Sequence, residues 1–315
     1  MKHGSFTQIV KEEIANYEYD YDQYLSLLSG FIKTNGSVSI SSKKLVLSLQ
    51  TENSKIAKLI YRAIITCFKV TPQFSYSKKM RLDKCVVYHL FVHDKVEEIL
   101  NRLEIMQGFE RVNPKSMIED ERLRFFIAGV FLASGSVNAP SSSNYHLQMI
   151  VTDENDAKFL IRILNRFKND KSMGFKYIAR RNKFLVYLKR ADQIAIFLAL
   201  INAPIAMMNF ENSRIEKDYI NSENRYQICF NANFQKTIKK ANEQIQDIQT
   251  LIEKSEFIHL SEDEQKVANV RMNNQEIALS GIVNILKEEG ITMSKARISR
   301  IFNKIHDKAI SLRSK

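Results

Sequence analysis

One stretch of this chain comes round twice. Leu28-Ser29-Gly30-Phe31-Ile32 and then Gly36-Ser37-Val38 return as Ile127-Ala128-Gly129-Val130-Phe131 and Gly135-Ser136-Val137, 99 residues later. Leu47 to Asn53 is matched by Leu147 to Asn155, and Ile56–Phe68 and Ala157–Phe167 both carry apolar residues at helical spacing. Val86-Val87-Tyr88 is matched by Leu185-Val186-Tyr187, again 99 apart at the tyrosines. Runs rich in strand formers occupy Leu45–Leu49, Phe74–Ser77 and Cys85–Val92 in copy one, and Tyr145–Val151, Phe175–Ala179 and Phe184–Leu188 in copy two. Each copy therefore reads helix, strand, strand, helix, strand, strand, helix. Copy one covers about 20–115 and copy two about 119–222, an α+β body of two αββαββα halves around a pseudo-twofold axis.

The first helix of each copy carries small residues at the same place: Ser26, Ser29 and Gly30, then Ala128, Gly129 and Ala133. Small residues let two backbones approach closely, so these two helices are expected to pair. The run Gln193–Phe210 is short for a membrane span of ~20 residues and reads as two buried helical pieces meeting at Asn202-Ala203-Pro204. The first residues given show no apolar h-region, so no secretory signal is expected. Three widely spaced cysteines leave a thiol over in any pairing, so a reducing, cytoplasmic setting is expected. A net charge of +12 on 315 residues favours a polyanionic partner.

Leu28 to Gly36 (LSGFIKTNG) and Ile127 to Gly135 (IAGVFLASG) resemble the LAGLIDADG helices of homing endonucleases. The resemblance implies paired helices at the centre and β-sheets forming a saddle on DNA. Gly135 to Pro140, with Tyr145-His146-Leu147 downstream, and Asn224-Arg225…Cys229…Ala232-Asn233…Lys236 are similar to the WhiA family of bacterial regulators. Ile228 departs from that pattern, where a second Asn is usual, and Gln148 replaces a usual Glu. The resemblance covers nearly the whole chain. It implies control of genes tied to cell division, chromosome segregation and, in some bacteria, sporulation.

In the nucleases the penultimate residue of each LAGLIDADG motif is an acid, and the two acids hold metal ions that let water attack a phosphodiester. The matching positions here are Asn35 and Ser134. No acid lies from Lys33 to Ile40 or from Phe131 to Pro140, Glu52 and Asp153 fall on later elements, and Lys33 would oppose a nearby cation. No nuclease, no other enzyme activity and no bound metal or cofactor is expected. Cys85, His89 and His93 fall four apart, but in a strand the outer two are too distant to share one ion. His146 stands apart from any ligand cluster, and Glu119-Asp120-Glu121 suits the dipole of the helix that follows. No phosphate-cradling glycine loop, nucleophile triad or cofactor motif is present.

Residues 223–315 read as a linker helix and an all-α helix-turn-helix domain. Asn233–Glu253 has apolar residues at helical spacing, Ser255–Asp263 reads as a turn region and Glu264–Met272 as a helix. Asn274 is placed to cap a helix carrying Ile277, Leu279, Ile282, Val283 and Leu286, with Gly290 as its stop. Ser294 is placed to cap the next, with Ile298, Ile301, Phe302 and Ile305 on one side and Arg297, Arg300, Lys304 and Lys308 on the other. A short turn followed by a helix with an apolar and a basic stripe is the layout of a DNA-reading helix-turn-helix, although a solvated basic face is the plainer alternative. Ser294, Lys295, Arg297 and Arg300 are expected near base edges, and Lys304 and Lys308 near phosphates. Lys78, Lys79, Arg81 and Lys84 in copy one, with Arg180, Arg181 and Lys183 in copy two, form a second candidate surface for nucleic acid or for another regulatory protein; solvated hairpin tips are the plainer alternative. The expected partner is double-stranded DNA, in a nucleoid-associated protein with no membrane span and no small-molecule substrate. Two readings compete: an RNA- or ribosome-associated binder, against which no aromatic-studded single-strand surface is evident, and an active homing endonuclease.

Overall fold

The computed structural model describes residues 5–41, 44–78, 86–108, 110–119, 121–169 and 171–313, with backbone alone at 168, 169, 171 and 172. Lys79, Arg81, Lys84, Cys85 and Asp120 lie outside the described residues. The chain divides into two compact units, Met1–Lys217 and Asp218–Lys315.

Unit one opens with α1 (Phe6–Asn16). The first copy then runs α2 (Tyr21–Asn35), β1 (Ser37–Ser41), β2 (Lys44–Thr51), α3 (Ser54–Phe68), β3 (Gln73–Lys78), β4 (Val86–Val92) and α4 (Val96–Arg102). A two-residue hairpin follows, β5 (Met106–Gln107) and β6 (Glu110–Arg111). The second copy runs α5 (Arg122–Ser134), β7 (Gly135–Val137), β8 (Leu147–Val151), α6 (Glu154–Leu164), a small ribbon β9 (Lys168–Asn169) and β10 (Lys171–Ser172), then β11 (Lys176–Arg180), β12 (Lys183–Leu188) and α7 (Ala191–Leu200). Helix α8 (Pro204–Glu253) runs on into unit two, which continues with α9 (Glu262–Asn273), α10 (Leu279–Glu288) and α11 (Lys295–Arg313).

The local chemistry repeats along with the topology. Asn53 caps α3 through its side-chain oxygen, and Asp153 caps α6 the same way. Both helices carry a strong apolar face, which buries Ile56, Ile60, Ala63 and Ile64 in one copy and Ala157, Leu160, Ile163 and Leu164 in the other. Both four-stranded antiparallel sheets have one strand order, β1-β2-β4-β3 and β7-β8-β12-β11.

The paired helices at the centre are α2 and α5. A Cβ placed on Gly30 would overlap the Phe126 carbonyl oxygen, and one placed on Gly129 would overlap the Leu27 carbonyl oxygen. The two glycines thus admit each other's helix, and the flanking Leu27, Leu28, Phe31, Phe126, Ile127 and Phe131 are fully buried. Ser29 satisfies its hydroxyl on the Leu103 carbonyl, 2.9 Å away. Helix α1 is stitched to copy two by a reciprocal pair of bonds between Thr7 Oγ1 and the Val137 backbone, at 2.8 and 2.9 Å. The Glu13 carboxylate accepts from the Ile205 and Ala206 N–H groups at the first turn of α8. The expected break between two buried helical pieces is present: Asn202 takes a left-handed φ of 61°, and Pro204 begins α8.

The last anchor of the repeat is corrected by the strand register. Leu47 pairs with Val92 and Leu147 with Leu188; two steps further, Leu49 pairs with Leu90 and Met149 with Val186. Tyr88 is therefore equivalent to Phe184, 96 residues on, and Phe91 is equivalent to Tyr187. The ring pairs agree, since Phe74 packs on Tyr88 at 5.9 Å and Tyr177 on Phe184 at 6.3 Å. A slip of three residues is odd, and side chains alternate faces along a strand, so Tyr88 joins the core side while Tyr187 stands on the outer face.

Candidate nucleic-acid interface

Asn35 and Ser134 end the paired helices, and each makes the same bond. Asn35 Oδ1 accepts from the Gln50 N–H at 3.1 Å, and Ser134 Oγ accepts from the Ile150 N–H at 3.2 Å. Gln50 and Ile150 hold equivalent places on the second strand of their sheets. Both side chains fasten a sheet to a central helix, and each offers a neutral oxygen already in use. Asn35 borders a cavity of about 460 Å³, together with Lys11, Glu52 and Asn53. Glu52, placed on a later element by the sequence reading, is thus brought to this end of the helix pair by the β2–α3 connection. Asp153 is the equivalent of Asn53, and its carboxylate is engaged as the cap of α6. The Lys11 ammonium lies 5.9 Å from the Phe131 ring. Burial pushes its pKa down to about 8, while the Glu52 charge opposes that shift. A lysine cation beside one carboxylate and two engaged neutral oxygens does not fit a divalent ion. Among the described residues no group of three or more His, Cys, Asp or Glu side chains converges on one point. His89 bonds Ser77 and His93 bonds Gln73, on separate partners.

Lys33 does not face this cavity as a free charge. Its ammonium sits 2.8 Å from Asp156 of α6 and 3.1 Å from the Val112 carbonyl, and it is almost wholly buried. It is a cross-copy ion pair, and its equivalent in copy two is the buried Leu132.

The outer faces of the two sheets differ. In copy one Ser37, Ser39, Ser41, Ser48, Gln50, Gln73, Ser75, Ser77, His89 and Phe91 stand on that face by register, with Lys44 at the end of β2. In copy two the equivalents of Gln73 and Ser77 are Lys176 and Arg180, and Lys183 stands opposite Arg180. Arg181 and Asn182 form the two-residue turn between them, both with positive φ, as a tight hairpin requires. Ile178, 55% exposed, and Tyr187, with the Lys189 ammonium over its ring, complete a cationic face. Lys78 does not match Arg180. It pairs with Val86 on the helix side of its sheet, the side of Phe74 and Tyr88. Arg180, Arg181 and Lys183 are thus brought together, while Lys78 is on the other face of its own sheet.

Unit two is a helical bundle around Ile248, Leu251, Val267, Ile282, Leu286, Ile298, Phe302 and Ile305. Ser294 caps α11, accepting from the Arg297 N–H at 3.2 Å, and Gly290 takes φ 81° just past α10. Asn274 does not cap α10. That helix starts at Leu279 behind Ala278, and Asn274 ends α9, its N–H and side chain both donating to the Val270 carbonyl. The reason is Arg271, which is 2% exposed. Its guanidinium donates to the carbonyls of Asn274 and Ile277 and to Gln244 and lies over the Phe302 ring, so the 274–277 segment folds onto it as a loop. Nothing local in the sequence marks Arg271 as a core residue.

The basic stripe of α11 is split in two. Arg297 pairs with Asp263 at 2.5 Å and Lys304 with Glu264 at 2.6 Å, both acids in the first turn of α9. Burial alone would push the Glu264 carboxyl up; hydrogen bonds from Lys304 and the Ser261 N–H outweigh it and hold the group below its ordinary value. Lys295, Arg300 and Lys308 carry no ion pair among the described residues, and Lys295 and Arg300 are exposed. Asp247 of α8 holds His306 and Arg313 on the side of α11 that meets α8. Sequence reading missed these acids because their partners are 34 to 66 positions away.

Comparison with known proteins agrees with this architecture. Residues 22–106 match the model of the WhiA N-terminal LAGLIDADG-like domain, 123–219 that of the WhiA LAGLIDADG-like domain, and 224–309 that of the WhiA C-terminal HTH domain. The chain is 32% identical over 313 residues to a protein of Staphylococcus carnosus named probable cell division protein WhiA, covering 98% of each. A protein of the same name from Staphylococcus aureus strain JH9 matches at the same identity and coverage. The crystal structure of full-length DUF199/WhiA from Thermatoga maritima shares the fold, with TM-score 0.60 and 21% identity over 98% of this chain and 99% of that one. Duplicated body, neutral helix ends and helix-turn-helix all occur in one order over almost the whole length, and the chain belongs to the WhiA family.

Proposed function

We propose that this protein is a sequence-specific DNA-binding transcriptional regulator without nuclease activity, acting on genes of cell division, chromosome segregation and, where the host sporulates, sporulation. The reading is supported above all by α11: a capped helix after a short turn, its apolar stripe in the bundle core and Lys295 and Arg300 exposed and unpaired near its start. The first turns of such a helix reach base edges. Arg297 is assigned to the same edge, with Asp263 as the group that aims it; Lys304 and Lys308 are assigned to phosphates. Residues 223–315 are assigned the sequence reading and 1–222 the body. The cationic outer face of the second sheet is assigned a supporting duplex contact through Arg180, Arg181 and Lys183, and the hydroxyl- and amide-rich outer face of the first sheet is left for a protein partner. Action on the nucleoid, in the cytoplasm, follows from this reading. Among the described residues no helix is long and apolar enough to cross a membrane.

Two experiments test it. A duplex site selected from random sequence by the full chain should be bound with a preference that Arg300→Ala reduces by about 1–3 kcal/mol at one position. Equal affinity for selected and scrambled duplexes would remove the claim of sequence reading. Plasmid DNA incubated with magnesium or manganese should stay intact, and cutting that depends on Asn35 would overturn the nuclease-free assignment.

A further inference from the structure

Residues Asn221 to Gln235 of α8 are exposed without a break, in a helix whose C-terminal part buries Ala241, Ile245, Ile248 and Leu251 in the unit-two bundle. A helix that is polar all round and alone in water is usually held by many ion pairs at i,i+4 spacing. Among the described residues Asn224 to Lys239 has none. It shows apolar groups to solvent instead, with Ile228 at 69% exposure and Tyr226, Phe230 and Phe234 stacked in a row at 6.4 and 6.2 Å. This row is an aromatic surface that the sequence reading did not find.

The charge of this segment lies on the side of the helix away from that row. From Arg225 to Asn242 there are four cations, Arg225, Lys236, Lys239 and Lys240, and no carboxylate. Lys240 stands 3.8 Å from Glu243, and the other three carry no ion pair among the described residues. At 3.6 residues per turn Arg225, Cys229, Ala232, Asn233 and Lys236 share one stripe, so small side chains separate the cations and leave room for a close approach. The contrast with α11 is direct, since two of its expected DNA cations are tied to acids.

Resting on the DNA-binding reading above, we propose that Arg225, Lys236 and Lys239 form a second duplex contact, a sequence-indifferent clamp on the phosphate backbone. The helix carries it about 24 Å out from the bundle, at ~1.5 Å per residue from Ala241 to Arg225. That length matches about seven base-pair steps at ~3.4 Å each.

The test uses the full chain, a selected duplex, a scrambled duplex and a structured RNA, each titrated over a range of salt. Replacing Arg225, Lys236 and Lys239 together with Gln should leave the thermal transition in place and make the slope of log affinity against log salt shallower by about 2–3, at ~0.9 per phosphate contact. Affinity should fall by one factor on both duplexes, so their ratio is unchanged, and the Arg225→Lys, Lys236→Arg, Lys239→Arg variant should keep the wild-type slope. An unchanged slope with Gln, or a loss confined to the RNA, overturns the clamp while Arg300-dependent duplex binding stands. A wild-type chain that binds neither duplex overturns both.

Discussion

The two sheets of the body share strand order, helix caps and the bond from a central helix to the second strand, yet their outer faces have diverged. Gln73 and Ser77 on one occupy the places of Lys176 and Arg180 on the other. The core side cannot drift this way, because a buried face must stay apolar and close-packed, whereas an outer face loses nothing in stability when a hydroxyl becomes a cation. The comparison separates what the duplication needs in order to fold from what each half is free to do. The scaffold is held twice by the same devices, and the cluster of cations is placed once among the described strands.

The largest expected effect tests the sameness of the scaffold. Gly30→Val and Gly129→Val should each destabilise unit one by more than about 4 kcal/mol, since each forces the helices apart at a carbonyl. Thermal unfolding of the two variants should shift alike, and a large shift in only one would show that the helix pair is not symmetric in its energetics. Lys33 probes a place where the copies differ. Lys33→Leu leaves Asp156 without its buried partner and should cost about 3 kcal/mol. Adding Asp156→Asn should recover much of this by removing the carboxylate that Lys33→Leu strands; no recovery would mean that the ion pair does not set the cost.

The divergent faces are tested by charge removal. Replacing Lys176, Arg180 and Lys183 with Gln should weaken binding to a scrambled duplex about tenfold or more at low salt and flatten its salt dependence, while Gln73→Ala with Ser75→Ala and Ser77→Ala should change neither. Equal losses from the two sets would erase the distinction. Asn35→Ala and Ser134→Ala should each cost about 1 kcal/mol, one backbone N–H being left unpaired in both.

A pH dependence is expected at the Asn35 end of the helix pair. Burial lowers the Lys11 pKa to about 8, so between that value and 10.5 the unfolded chain binds more protons than the folded one. Stability then rises with pH through this window as the burdened ammonium is released. The difference between wild type and Lys11→Met should show that rise, and a flat difference would mean that Lys11 keeps its charge.

The second-copy hairpin shows how far sequence matching reaches. Three anchors of the repeat place helices and strands where the structure has them, because apolar spacing along one segment dictates the element it forms. The fourth, Tyr88 with Tyr187, is a coincidence of letters: the equivalent of Tyr88 is Phe184, and only pairing with β8 decides it. At the candidate site the neutral helix ends were legible in the two motifs, and the entry of Glu52 and Lys11 into the same cavity was not, since neither adjoins Asn35 along the chain.

By itself the sequence determined the order of elements, the Ser294 cap and the Gly290 stop, which depend on residues within a few positions of one another, and the duplication with its paired small residues at Gly30 and Gly129, which show as one local pattern written twice. Tertiary structure alone decided which strand faces point outward, that Asn274 closes a helix instead of opening one, and that Arg297 and Lys304 meet Asp263 and Glu264. A strand changes face with every one-residue step, and a charge takes the partner that folding brings within about 4 Å, so neither outcome is written in local spacing.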